Sequence, residues 1–165
     1  VIREVGVGDA DELAALYSAN REFLAPFEPI RPDAFFTAAG QRERLSRPVE
    51  GWRFAILDDD GAIAGAINVT NVVRGAFHSA NVGYFVSQHV NGRGLATAAV
   101  RDVCAFAFGS AGLHRLEAGT LLDNYASQRV LEKNGFERIG IARQYLQIAG
   151  AWQDHLLFQR IAADL

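Results

Sequence analysis

The segment Tyr84-Phe85-Val86-Ser87-Gln88-His89-Val90-Asn91-Gly92-Arg93-Gly94-Leu95-Ala96-Thr97 constrains this chain more than any other. An aromatic and β-branched stretch passes through two closely spaced glycines into an Ala- and Leu-containing run, which predicts a strand, a tight turn and the start of a helix. Small residues at such a turn let the backbone close round an anion. The unpaired amides of a first helical turn, aligned with the helix dipole, favour phosphate there. A diphosphate would fit, although the two glycines alone would equally serve a plain turn. No Gly-Lys-Ser/Thr follows, so this is not a Walker loop, and the glycine spacing of a Rossmann turn is absent.

Strand and helix patterns alternate along the rest of the chain. Ile2 to Val5 predicts a short strand, and Asp9 is placed to cap a helix carrying Leu13, Leu16 and Tyr17 on one face. Three of the four prolines fall between Phe23 and Pro32, which predicts an ordered loop, and Phe35 to Leu45 resumes a helical pattern that breaks before Pro48. Trp52 to Leu57 and Ala64 to Asn71 read as strands joined by the turn Asp58-Asp59-Asp60-Gly61. Val82 to Val86 is a further strand, and Gly94 to Phe108 a helix burying Leu95, Ala98, Ala99, Val103, Phe106 and Ala107. His114 to Leu121 is strand-like, Asn124 to Asn134 helical and closed by Gly135, and Phe136 to Ile148 with Trp152 to Ile161 form a hairpin. These elements predict one mixed sheet of the α/β or α+β class, as a single domain over residues 1–165.

Composition narrows the function classes. At 165 residues with 50% apolar and 21% charged, the chain has enough material for one continuous core without disulfides. Cys104, alone, makes no internal bridge and is expected as a buried small hydrophobe, which suits a reducing, cytoplasmic setting. No leader pattern and no apolar run of membrane-spanning length is visible, so a soluble chain with no membrane partner is expected. A net charge of −3 with scattered basic residues, all Arg except Lys133, argues against nucleic acid as partner. The four histidines, at 78, 89, 114 and 155, have no metal-ligand spacing and are expected to be structural, with no metal implied. Trp52 and Trp152 are expected as core or cleft aromatics.

A second segment, Asn124-Tyr125-Ala126-Ser127-Gln128-Arg129-Val130-Leu131-Glu132-Lys133-Asn134-Gly135-Phe136, follows the next strand. Taken together, the two segments resemble the GNAT superfamily of acyl-CoA-dependent N-acyltransferases, whose diphosphate loop has the pattern [QR]-x-x-G-x-[GA]. Here it runs Asn91-Gly92-Arg93-Gly94-Leu95-Ala96, with Asn91 in place of the usual Gln or Arg. The Asn124-to-Phe136 segment, the following Trp152-x-Asp154-His155 and the proline-rich Phe23 to Phe36 stretch resemble the ribosomal-protein Ser/Ala N-terminal acetyltransferase branch. The resemblance spans Ile2 to Ile161.

It implies a mostly antiparallel sheet whose central strands splay round acetyl-CoA, with the acceptor amine entering from the opposite face. Phe85, Val86 and Ser87 would offer backbone groups to the pantetheine arm and the oxyanion. Gly92, Arg93, Gly94, Leu95, Ala96 and Thr97 would hold the diphosphate. Asn124 would lie near the pantetheine, a role compatible with capping its helix, and Ser127 would set its hydroxyl beside the thioester sulfur. Leu131 stands where many relatives carry a Tyr acid, which leaves Ser127 as the donor to the departing thiolate. Homodimers are common among relatives.

The base is the open position. Gln144 and Asn81 stand where the branch often has acidic residues, and neither amide accepts a proton. A protein α-amine, with a reference pKa of about 7.7 to 8.0, needs less help than a lysine near 10.4. Glu28 and Asp154 are the candidate distal bases, acting through water. Alternatively, Glu28 orders the proline segment and Asp154 pairs with an Arg. The expected acceptor is the α-amine of a Ser- or Ala-starting protein. A small amine such as a polyamine, an aminoglycoside or an amino-acid derivative is the alternative, and a non-catalytic acyl-CoA sensor a third.

Overall fold

Seven strands form one sheet in the order β1-β2-β3-β4-β5-β7-β6, antiparallel throughout except for the β4–β5 pair. The strands are β1 (Ile2–Glu4), β2 (Trp52–Leu57), β3 (Ile63–Val73), β4 (Ser79–Val86), β5 (Arg115–Leu121), β6 (Glu137–Ile148) and β7 (Ala151–Ile161). The helices are α1 (Ala10–Ala19), α2 (Arg21–Leu24), α3 (Ala38–Ser46), α4 (Leu95–Phe108) and α5 (Tyr125–Lys133). This computed structural model describes residues 1–163. Among them, no helix is long and apolar enough to cross a membrane.

The period-two pattern of the strands divides the core into two layers. In β2, Phe54 and Ile56 face α4, whereas Ala55 and Leu57 face α1. The larger layer gathers Ile67, Val69, Leu116, Leu131 and Phe158 against Ala99, Val100, Val103, Cys104 and Ala107 of α4. Val100 and Cys104 thus take the part of the stripe that the sequence pattern gave to Ala98, which is only half-buried. Burial also pushes the Cys104 thiol above its ordinary range. The smaller layer places Leu13, Leu16 and Tyr17 against Ala55 and Ile63.

Several local expectations need correction. The Asp9 side chain does not cap α1: its carboxylate accepts from the Gly6 amide at 2.8 Å and from two nitrogens of Arg3, closing the turn before the helix. The Phe23 to Pro32 stretch is not all loop, because α2 runs to Leu24 and a 3-10 turn spans Ala25–Phe27, with Pro26 inside it where a missing amide costs nothing. The helix expected from Phe35 begins instead at Ala38, after a 3-10 turn over Asp33–Phe36, because Thr37 is extended and its hydroxyl accepts from the Gly40 amide. Trp52 packs edge-on against Phe106, but Trp152 is 62% exposed near the β6–β7 turn and belongs to neither core nor cleft.

The β4–β5 pair positions the site. Only Ser79, Ala80 and Asn81 pair with Arg115, Leu116 and Glu117, after which β4 runs on to Val86 and β5 to Leu121 without meeting. Arg115 holds the joined end, donating to Ser79 Oγ at 3.1 Å, to Gln159 Oε1 at 3.0 Å and to Glu117 at 2.8 Å. On the other side of β4 the contact with β3 is tight. A Cβ on Gly65 would come within 2.3 Å of the Phe85 carbonyl oxygen, a backbone atom held in the ladder. Gly65→Ala is therefore expected to cost about 2 kcal/mol in urea unfolding, against less than about 0.5 kcal/mol for Gly83→Ala, where the added carbon meets open space.

Candidate active site

Where β4 and β5 part, a cleft of about 750 Å³ runs through the sheet. Its walls are Val82 to Val86 of β4 and Ala118 to Leu121 of β5, its α5 side carries Asn124 and Ser127, and one end is the glycine loop. A short 3-10 turn over Gln88–Val90 leads into that loop, where Gly92 and Gly94 have φ of 78° and 77°, a left-handed conformation that other residues rarely adopt. Gly94 provides the N-cap position of α4 with no side-chain cap. Among the described residues, the first amide paired within this stretch is that of Ala98, which reaches the Gly94 carbonyl. The amides from Gly92 to Thr97 are left without protein acceptors, and they are the donor set an anion at a helix start requires. Asn91, Gly92, Gly94, Leu95, Ala96 and Thr97 line the cleft, whereas the Arg93 side chain does not. Arg129 and Lys133 add positive charge from α5.

The β4 edge divides its backbone between two neighbours. Ser87 donates its amide to Ala64 O at 2.7 Å, and the register Ala66↔Phe85 commits Phe85 to β3 in the same way. In this alternation Val86, and Tyr84 before it, direct their backbone groups into the gap. The expectation that Phe85, Val86 and Ser87 all offer amides to a ligand thus reduces to Val86. Ser87 serves another purpose: its hydroxyl contacts Asn20, at the end of α1, and His89 Nδ1 at 2.7 Å. Asn20, 2% exposed, also takes the Gln88 amide on its Oδ1 at 2.9 Å. This buried contact fastens the end of α1 to the start of the glycine loop. No pattern in the sequence pairs Asn20 with residues so far away.

Asn124 caps α5, its Oδ1 accepting from the Ser127 amide at 3.2 Å, and Ser127 sits in the first turn facing the cleft. Across the gap, the Tyr84 hydroxyl lies 2.8 Å from Ser127 Oγ and donates to the Ser127 carbonyl at 3.2 Å. Tyr84 is thus a cleft residue with no role in the sequence pattern beyond opening the segment's aromatic and β-branched run. Burial pushes its phenol up to about 12, against an opposing contribution from the hydrogen bond with Ser127.

The two carboxylates expected as bases separate. Glu28 lines the cleft, and its Oε2 accepts from Arg31 at 3.1 Å while its carbonyl takes the Ala149 amide at 2.9 Å, so it does order the proline segment against the β6–β7 turn. Asp154 is not among the residues lining the cleft and pairs with no Arg among the described residues. Its Oδ1 accepts from the Gln144 amide at 2.9 Å, pinning a bulge where Gln144 has φ of 47° and the β6–β7 register slips. His155, in contrast, is 4% exposed and lines the cleft from β7.

A sheet opened between two central strands, with an amide-lined loop at one end of the gap, defines an acyl-CoA-dependent transferase, and the chain belongs to the GNAT acetyltransferase family, whose domain model matches residues 1–137. It is an acetyl-CoA-dependent N-acetyltransferase. It is 40% identical over 170 residues to the Bacillus subtilis (strain 168) Probable N-acetyltransferase YjcK, covering 99% of this chain and 94% of that protein. Its fold is similar to the ribosomal-protein-S5-alanine acetyltransferase of Vibrio fischeri, with a TM-score of 0.94 and 35% identity over 99% of this chain and 93% of that one. It is also similar to Mycobacterium smegmatis RimJ in complex with CoA-disulfide, with a TM-score of 0.90 and 30% identity over 99% and 82% of the two chains.

The raised phenol of Tyr84 carries a pH consequence. An acid whose folded pKa lies above its ordinary value stabilises the fold below that ordinary value, here 10.0, and loses the contribution as pH climbs to about 12. Tyr17, also raised by burial, adds to the same loss. Tyr84→Phe should therefore show a shallower fall in stability between pH 10 and about 12 than the unmodified protein, measured by denaturant unfolding at stepped pH.

Proposed function

We propose that this acetyltransferase modifies a protein N-terminal α-amine, of the Ser- or Ala-starting kind. The observation that carries the choice is the charge of the cleft. Glu28 is the single carboxylate among the residues lining it, already engaged by Arg31, while Arg129 and Lys133 face the same space. A polyamine or aminoglycoside brings several positive charges and needs several carboxylates to receive them, whereas an N-terminal residue brings one. The similarity to an S5-alanine acetyltransferase supports the same reading.

Acetyl-CoA supplies a thioester activated toward amines. The amides of Gly92, Gly94, Leu95, Ala96 and Thr97, with that of Arg93, hold its diphosphate, assisted by the dipole of α4. Asn91 lies at the entry to that loop. Val86 offers its outward backbone amide to the pantetheine arm or to the oxygen on which charge develops, where a fixed donor is worth more than water. Asn124 keeps the first turn of α5 in place, and Ser127 donates its hydroxyl to the departing sulfur. Tyr84 gives that hydroxyl a fixed partner. Glu28 keeps the proline segment against the β6–β7 turn at the mouth where the acceptor enters.

Release of free CoA thiol, measured against Ser- and Ala-starting peptides, polyamines, aminoglycosides and an N-terminally blocked lysine peptide, tests the acceptor. Turnover confined to free α-amine peptides, with product mass placing the acetyl group on the α-nitrogen, is the expected result. Turnover with small amines alone, or tight acetyl-CoA binding without turnover, overturns it. Ser127→Ala is expected to lower kcat by about 10- to 100-fold with little change in acetyl-CoA affinity, read by steady-state kinetics and calorimetry.

A further inference from the structure

We infer that His155 is the general base that takes the proton from the acceptor's ammonium. The inference rests on the amine-acetylation reading above and fills the one catalytic position that reading leaves vacant, since Asn81 and Gln144 are amides and Asp154 is turned to the bulge.

Three observations converge on this side chain. The first is its tautomer. Nδ1 lies 2.9 Å from the Gln153 carbonyl oxygen, which can only accept, so Nδ1 carries the hydrogen and Nε2 of the neutral ring holds a lone pair. The second is access. Among the described residues Nε2 has no hydrogen-bond partner, and no buried side-chain nitrogen is left both sealed and unpaired, so Nε2 retains an opening, and the space beside the ring is the cleft. The third is the face of the sheet. Leu156 and Phe158 pack beneath α4 and α5, so the alternation of β7 turns His155 to the other side. Ser127 and Tyr84 lie on the α5 side, and His155, paired with Leu121 and Ala142, lines the same cleft from the other face. A donor for the sulfur and a base for the amine thus stand on opposite faces of one gap.

The groups around the ring suit that role. Tyr145 of β6 stands edge-on with centroids 5.5 Å apart and orients the imidazole. Gly119 and Leu121 of β5 contribute no charge, and Leu121 is His155's register partner. Asp154, its neighbour in β7, is held by the Gln144 amide. Across the cleft, Glu28 is paired with Arg31, and Arg129 and Lys133 stand on α5.

The step balances simply. Nε2 takes one proton of the acceptor's ammonium and passes it to solvent, freeing the nitrogen lone pair. The C–N bond forms, the C–S bond breaks with its electron pair left on sulfur, and the nitrogen's second proton restores the thiol.

The test uses whichever primary amine the substrate panel identifies, so failure of the α-amine reading leaves it intact. His155→Gln is expected to lower kcat about 100-fold near neutral pH while acetyl-CoA affinity by calorimetry changes less than about 2-fold. The deficit should shrink to about 3-fold as pH rises past the amine's own pKa, because the amine then arrives neutral. Glu28→Gln keeps the acid limb of the unmodified enzyme. Long-range proton–nitrogen NMR of the free protein, a readout independent of turnover, should show hydrogen on Nδ1 and none on Nε2 of neutral His155. A deficit of equal size at every pH, transfer of the acid limb's loss to Glu28→Gln, or hydrogen on Nε2 of the neutral ring overturns the assignment. If His155→Gln does not fold, His155→Asn, which keeps a donor near the Gln153 carbonyl, is measured in its place.

Discussion

The structure depends on β4 and β5 parting after Asn81 and Glu117. Backbone groups in the middle of a sheet normally satisfy one another, and leaving them unpaired is costly unless a ligand or water takes them. Here the cost is localised. The joined end is held by Arg115, which reaches Ser79, Glu117 and Gln159, and β4 keeps one register with β3 along its other edge from Asn81 to Val86. The open end is thereby held open by a sheet that is intact on both sides of it, and the outward groups of Val86 and Tyr84 are presented to whatever fills the gap.

The gap joins two half-sites that share no sequence neighbourhood. On one face, the glycine loop, the capped first turn of α5 and the Tyr84–Ser127 contact line the half proposed for the phosphate-bearing thioester. On the other, the proline segment, tied to the β6–β7 turn through the Glu28 carbonyl, and His155 of β7 line the half proposed for the amine. Asn20 holds the end of α1 to the approach to the glycine loop through its buried amide side chain.

Legibility in the sequence followed the range of the interactions. The glycine loop was readable because its geometry is local: left-handed turns need Gly92 and Gly94, and free amides follow from any helix start. Asn124 was readable as a cap for the same reason, the contact spanning a single turn. Asp9 misled because its carboxylate found Arg3 and the Gly6 amide, a competing local arrangement. Phe85 in β4 and Ser87 just beyond it turn their amides to β3, a direction that depends on the β3–β4 register and not on local pattern. Asp154 was placed beside the site, but the bulge at Gln144 took its carboxylate.

The sequence by itself determined the alternation of strands and helices, the glycine turn before α4 and the GNAT resemblance, because each is encoded in periodicity or in motif residues close together in the chain. The tertiary structure alone decided that Tyr84 meets Ser127, that Asn20 reaches Gln88, and that His155 shares a cleft with Glu28. Those meetings join residues far apart along the chain through the register and twist of the sheet, and a period-two pattern says which face a side chain takes without saying what stands opposite it.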